Sequence, residues 1–140
     1  MAKWNLPGAP IQDVPPAEVW PADGDLAVEF FGTMTEGHRR FMKDRPHYHL
    51  EVICVHEEWQ GKGAASLLIR WGVERADAEG LPCFLEATPK GRPIYEKYGF
   101  QMKGEDVFEW SFGKSVETYM ERDAKVEKRS MTRPKSKELA

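Results

Sequence analysis

The sequence is short of the residues that make covalent or metal-stapled scaffolds: its 140 residues include two cysteines and four histidines. Neither cysteine belongs to a Cys-x-x-Cys pair, which argues against a disulfide framework or a cysteine-rich zinc module. Cys54 and Cys83 instead lie within apolar, strand-like runs and read as buried free thiols. There is no apolar run of the ~18 residues that a membrane helix requires, and the first residues lack the apolar stretch of a signal peptide. An intracellular, cytoplasmic protein without membrane association is expected. No internal repeat is visible, and no tryptophan follows Trp110. Residues 114–140 carry eight Lys/Arg against five Asp/Glu, so that a net charge of -3 divides into a basic tail and an acidic body. With so little apolar patterning, 114–140 is expected to be a charged, mostly disordered tail, with Thr118 to Val126 as its one candidate helix. The acidic body points away from nucleic acid and towards cationic substrates.

What is present suits one globular domain with a core, since 41% of the residues are hydrophobic. Half of the ten prolines fall in residues 1–24, which read as an extended or irregular connector anchored by Trp4 and Trp20. The core is expected over 25–113. Leu26, Ala27, Phe30, Phe31, Met34 and Phe41 recur at helical spacing from Asp25 to Lys43, with Asp23 placed as the cap and Gly37 as a point that ends or loosens the helix. Pro46 then opens a strand from His47 to Val55, whose alternation puts Tyr48, Leu50, Val52 and Cys54 on one face and His47, His49, Glu51, Ile53 and Val55 on the other. A second helix runs from about Gly63 to Glu79, with Ala64, Leu67, Leu68 and Trp71 on one side, Ile69 and Val73 beside them, and Arg70, Glu74 and Asp77 facing water. Gly80 and Pro82 terminate it. A strand from Cys83 to Ala87, a short helix from Gly91 to Tyr98 and one or two strands from Gln101 to Phe112 complete the pattern. That alternation predicts an α/β fold, a mixed sheet with helices packed on it.

Between the first strand and the second helix lies Gln60-Gly61-Lys62-Gly63-Ala64-Ala65-Ser66. Glycines tolerate positive φ and leave no Cβ between backbone and ligand, so consecutive N–H groups can converge on one anion at the positive end of the helix dipole. A phosphate or pyrophosphate is the natural guest, although a plain strand-to-helix turn satisfies the same pattern. Neither the P-loop frame nor the dinucleotide fingerprint can be laid over these residues.

Gln60-x-x-Gly63-x-Ala65 resembles the hallmark of the GNAT family, the GCN5-related N-acetyltransferases. Downstream, Leu85-Glu-Ala-Thr88 is similar to the family's next strand, and Tyr95-Glu-Lys-Tyr-Gly-Phe100 to its Tyr-x-x-x-Gly-Phe signature. The resemblance covers roughly His47 to Phe112, and Arg45 to Leu50 and Trp71 to Asp77 look like fungal members. It implies a GNAT fold that binds acetyl-CoA between the central strand and the next. Pantetheine would pair with backbone at Cys54 and Val55, and the pyrophosphate would lie on the N–H groups of Gln60, Gly61, Lys62, Gly63, Ala64, Ala65 and Ser66. A primary amine on a small molecule or peptide then attacks the thioester directly in a ternary complex, the Val55 N–H stabilises the oxyanion, and Tyr95 protonates the leaving thiolate. A tyrosine of pKa ~10 is a weaker acid than a thiol of ~8.5, and an amine of ~10.4 must lose a proton before attack. His49 is the favoured relay and Glu51 the alternative, both on one face of the strand.

Two departures follow from the same resemblance. Where many members carry an asparagine before the tyrosine helix, this chain has Thr88 or Arg92 as the available substitute. Ahead of the proline-rich connector stand only Met1 to Leu6, where the family has several strands and helices. The sheet is therefore expected to be N-terminally shortened, to present a bare edge on its central strand and to pair there with a second copy. A non-catalytic fragment that keeps CoA or partner binding is the alternative to an enzyme. Zinc held by His47, His49, His56 and a cysteine is not expected, since no second motif closes such a site.

Overall fold

The computed structural model describes residues 1–126. Five strands form one mixed sheet, β1 (Ala2–Asn5), β2 (Tyr48–Ile53), β3 (Cys83–Ala87), β4 (Gln101–Trp110) and β5 (Gly113–Arg122), in the order β1-β2-β3-β5-β4. Helix α1 (Gly24–Met42) packs on one face, while α2 (Ala64–Glu79) and the short α3 (Arg92–Glu96) serve the other. The α/β architecture and the element order from α1 to β4 follow the pattern of the sequence.

Helix α1 begins where Asp23 accepts a hydrogen bond from the Leu26 N–H at 3.3 Å, which satisfies one of the donors orphaned at a helix start. Gly37 does not interrupt it. An added Cβ at that residue would lie 2.2 Å from the Tyr119 ring, so glycine is required by close packing and not by a bend. Gly72 plays the same part on α2, where a Cβ would fall 2.4 Å from the Trp4 indole, whose Nε1–H donates to the Leu68 carbonyl at 3.0 Å. This contact rotates α2 relative to expectation. Its buried stripe is Ile69, Gly72, Val73 and Ala76, whereas Leu67 and Trp71 are 62% and 41% exposed.

Four expectations are corrected. Residues 1–24 are not all irregular, because Ala2–Asn5 pairs antiparallel with β2 and covers the edge that was expected to stand bare. The alternation along β2 reverses at a bulge opposite Lys3 and Trp4, so Ile53 joins the core on the α2 face and Val52 is exposed. Cys83 is buried as expected, but Cys54 lies past the end of β2 and is exposed.

The fourth correction concerns the tail. Thr118 to Arg122 belong to a strand and not to a helix, and β5 lies between β3 and β4. Its charges misled because tertiary partners neutralise them. Arg122, 2% exposed, makes a bidentate pair with Asp77 at 2.7 and 3.0 Å, and Glu121 receives Arg45 at 2.7 Å. Asp77, expected to face water, is thereby drawn into the fold. Residues 127–140, the rest of the expected disordered tail, lie outside the described residues.

Burial raises the Asp77 carboxyl, but bonds from Arg122 and the Lys125 N–H outweigh it and hold the group below its usual range. A depressed carboxylate stabilises the fold above its unfolded pKa and loses that contribution as pH falls through the lower, folded value. Arg122→Met is therefore expected to lower unfolding free energy by about 3 kcal/mol near neutrality, with the gap to wild type narrowing below about pH 4, as read by urea denaturation across pH. Burial also pushes the Cys83 thiol up to about 12. A thiol reagent should label Cys54 in the native protein and Cys83 only after unfolding; equal rates would contradict this placement.

Candidate active site

The site begins where two parallel strands part. β2 and β3 are in register only at Tyr48, His49 and Leu50 against Cys83, Phe84 and Leu85, yet β2 continues to Ile53 and β3 to Ala87. Beyond Leu50 and Leu85 their facing backbone is not joined, leaving an opening that a hydrogen-bonding ligand can enter.

At the mouth of that opening the Gln60 Nε2–H donates to the Val55 carbonyl at 3.0 Å, tying the turn to the strand that precedes it. Gly61 and Gly63 have φ of 73° and 83°, and an added Cβ on either would meet no protein atom within 4 Å. Their glycine character thus answers to backbone conformation and to open space above the turn. Gly63 caps α2 without any side-chain cap, so the N–H groups of Ala64, Ala65 and Ser66 precede the first bond of the helix, Leu67 N–H to the Gly63 carbonyl at 3.2 Å. Lys62, Ser66, Arg70 and Tyr98 line the shallow depression beside them. Lys62 also lies 5.1 Å from the Trp59 ring centroid. The turn from Gly61 to Ser66 therefore presents open backbone donors with two cations at its rim, while the Gln60 N–H, expected among those donors, bonds the Glu57 carbonyl at 3.3 Å.

Other candidates are divided. The Cys54 N–H donates to the Met1 carbonyl at 2.9 Å, whereas the Val55 N–H has no backbone partner among the described residues. Thr88 is occupied in its own turn, accepting from the Gly91 N–H at 3.2 Å through Oγ1. The Arg92 guanidinium pairs with Glu96 at 2.7 Å and Glu105 at 3.3 Å. Tyr95 projects from α3 and packs edge-on to Phe100 at 6.1 Å, with burial raising its phenol.

His49 and Glu51 meet on the α1 face, at a cleft of about 820 Å³. Asn5 bridges them, its Nδ2 donating to Glu51 at 2.8 Å and lying 3.3 Å from His49 Nδ1. An amide nitrogen only donates, so Nδ1 accepts and the His49 proton resides on Nε2, 2.9 Å from Glu86. Burial raises Glu51, but Lys3 and Asn5 bring it below its usual range.

Sequence reasoning missed Asn5, His38 and Glu86. Glu86 was legible, since Phe84 and Glu86 share the face of β3 opposite Cys83, Leu85 and Ala87. His38 was harder to find, because only the seating of α1 brings its ring to 4.1 Å from that of His49. Burial, then His49 and His47, push His38 down to about 3, so it is a neutral imidazole near pH 7. His56, by contrast, is exposed beside Glu58.

Residues 27–111 match the family model described as an acetyltransferase (GNAT) domain. An L-amino acid N-acetyltransferase of Escherichia coli (strain K12) is 36% identical over 58 residues, which are 37% of this chain and 35% of that protein. Among solved structures, an acetyltransferase from Corynebacterium glutamicum, described as a histone acetyltransferase and related acetyltransferase, aligns with a TM-score of 0.56 at 22% identity. That alignment covers 89% of this chain and 57% of the other. The ribosomal-protein-S18-alanine N-acetyltransferase of Escherichia coli aligns with a TM-score of 0.51 at 17% identity over 59% and 58% of the two chains. The chain thus spans about a third of the curated relative and under three fifths of these two structures. Among the described residues no helix is long and apolar enough to cross a membrane. A family model spanning most of the chain, seated on a sheet that parts beside a glycine turn, makes this protein a member of the GNAT acetyltransferase family.

Proposed function

We propose that this chain binds acetyl-CoA and transfers its acetyl group to a primary amine, on a small molecule or a peptide, by direct attack in a ternary complex. The observation that carries the reading is the parting of β2 from β3 beside the turn from Gln60 to Ser66. Pantetheine occupies the opening, where the Val55 N–H is the unclaimed backbone donor and receives the carbonyl oxygen as it gains negative charge. The pyrophosphate lies on the N–H groups from Gly61 to Ser66, with Lys62 and Arg70 at the rim; the Gln60 N–H, expected to join them, is taken by the Glu57 carbonyl at 3.3 Å. Thr88 follows β3 and Arg92 opens α3, in the stretch where many members present an asparagine; with Thr88 held in its own turn and Arg92 paired to Glu96 and Glu105, either must give up a partner to contact the cofactor.

Tyr95 is the proposed acid for the departing thiolate. Its raised pKa makes it a poorer donor than a free tyrosine, so the step relies on a leaving sulfur that is equally removed from water and correspondingly basic. On the acceptor side, the amine's proton passes to the network of His49 and Glu51. As both His49 nitrogens are already engaged, accepting a proton at Nδ1 requires the Asn5 amide to turn or withdraw. Exposed Cys54, a free thiol, suits a reducing intracellular compartment.

A second reading is a CoA-binding module without turnover. The cost of using His49 as a base favours it.

Calorimetry with acetyl-CoA tests the cofactor half. Gly63→Val should weaken binding by about tenfold or more, equivalent to about 1.4 kcal/mol. Gly80→Val, which bears similar strain at φ of 69° away from the turn, should not. An unchanged affinity in Gly63→Val would remove the turn from the site, and acetyl-CoA binding without CoA release across a panel of amines would select the second reading. For the chemical half, Tyr95→Phe should lower kcat by about a hundredfold at constant acetyl-CoA affinity. Equal kcat in both proteins from about pH 6 to 9 would exclude Tyr95 as the acid.

A further inference from the structure

We infer that His38, His49 and Glu86 form a binding site for a divalent transition-metal ion of the zinc type, open to the α1-face cleft. A ligand nitrogen from each imidazole and a carboxylate oxygen of Glu86 all lie within 4.8 Å of one another. Zinc holds histidine nitrogen and carboxylate oxygen at about 2.0–2.2 Å in a tetrahedron, which places such donors about 3.4 Å apart. The group is therefore wider than a loaded site by roughly an ångström, within the reach of side-chain rotation. Two neutral nitrogen donors with one carboxylate match the composition of open zinc sites, in which the fourth position belongs to water. All three side chains line the cleft, which brings water to that position.

The surrounding hydrogen bonds prepare the first ligand. The Arg45 carbonyl only accepts, so the proton of His47 lies on Nδ1, which donates to it at 2.6 Å. The neutral His47 ring then presents a lone pair at Nε2, which accepts from His38 Nε2–H at 2.7 Å. The His38 lone pair is left on Nδ1, which takes no part in that bond. A ligating histidine whose other ring nitrogen donates to an oriented partner is the usual arrangement at metal sites. Phe84 stacks on the His38 ring at 4.7 Å with planes 6° apart, fixing its plane.

His49 and Glu86 are held together by one proton at 2.9 Å. The metal replaces it: the single ring proton passes through solvent from Nε2 to Nδ1, and zinc takes the freed Nε2 lone pair and a Glu86 oxygen. The Asn5 amide then turns to offer its oxygen to the Nδ1–H, giving up its bond to Glu51. The exchange at His49 is thus a change of tautomer without net proton release. Zinc also occupies the imidazole that the acetyl-transfer reading uses as its relay, which makes the ion an inhibitor on that reading. The site itself does not depend on the reading.

The test is calorimetric titration of the tag-free chain with zinc chloride. One ion per chain should bind at micromolar concentration or below. His49→Gln and Glu86→Gln should each weaken binding by about tenfold or more, and His56→Gln should leave it unchanged. Failure to bind millimolar zinc, or loss of binding in His56→Gln but not in the other two, overturns the site. Should the variants fold poorly, cobalt(II) added to the wild-type chain decides: an intense four-coordinate visible spectrum supports the site, and the weak spectrum of hexahydrated cobalt refutes it. Neither measurement requires acetyl-CoA, so a failed metal site leaves the acetyltransferase reading standing, and a failed acetyltransferase leaves the metal site standing.

Discussion

The structure depends on a parallel ladder that is deliberately short. Tyr48 to Leu50 and Cys83 to Leu85 hold β2 and β3 together, and the core residues Leu50, Leu85, Ile69 and Val73 seal that end. Past it the strands separate, so their backbone groups must find other partners or a ligand. A bulge at the same level of β2 turns Ile53 into the core while Glu51 and Val52 face the cleft. The short ladder and the bulge beside it thus leave an opening between the strands and a polar cleft on the α1 face.

Ionic and steric contacts keep the ends of the chain from undoing this arrangement. Trp4 lies on Gly72 and fastens β1 to α2, so a strand of four residues suffices to cover β2. At the other end β5 is inserted between β3 and β4, locked by Arg122 on Asp77. Burying such a pair costs desolvation that its attraction only partly offsets, so it contributes more to defining where β5 lies than to net stability. Its removal is nevertheless costly, because one charge would remain without its partner.

The two faces of β2 serve different chemistry. The α2 face is apolar and ends in a glycine turn suited to an anion; the α1 face gathers three imidazoles and two carboxylates around Phe84. Neutral imidazoles in that setting can relay a proton or hold a metal, and both uses draw on His49. The site therefore joins a glycine turn with open backbone donors to a polar cluster on the opposite face of the same strand.

The sequence by itself determined the α/β pattern, the spans of α1 and α2 and the glycine turn between β2 and α2, since periodicity, caps and positive-φ glycines are local properties that adjacent residues dictate. Two family signatures at Gln60 and Tyr95 carried the same local information further. The tertiary structure alone decided the pairing of Ala2–Asn5 with β2, the place of β5 and the meeting of His38, His49 and Glu86. A strand read as charged becomes central only when Asp77 and Arg45 arrive from elsewhere to neutralise it. Likewise the imidazole cluster has no spacing to read, because its members come from a helix and two strands whose side chains converge only once α1 is seated on the sheet.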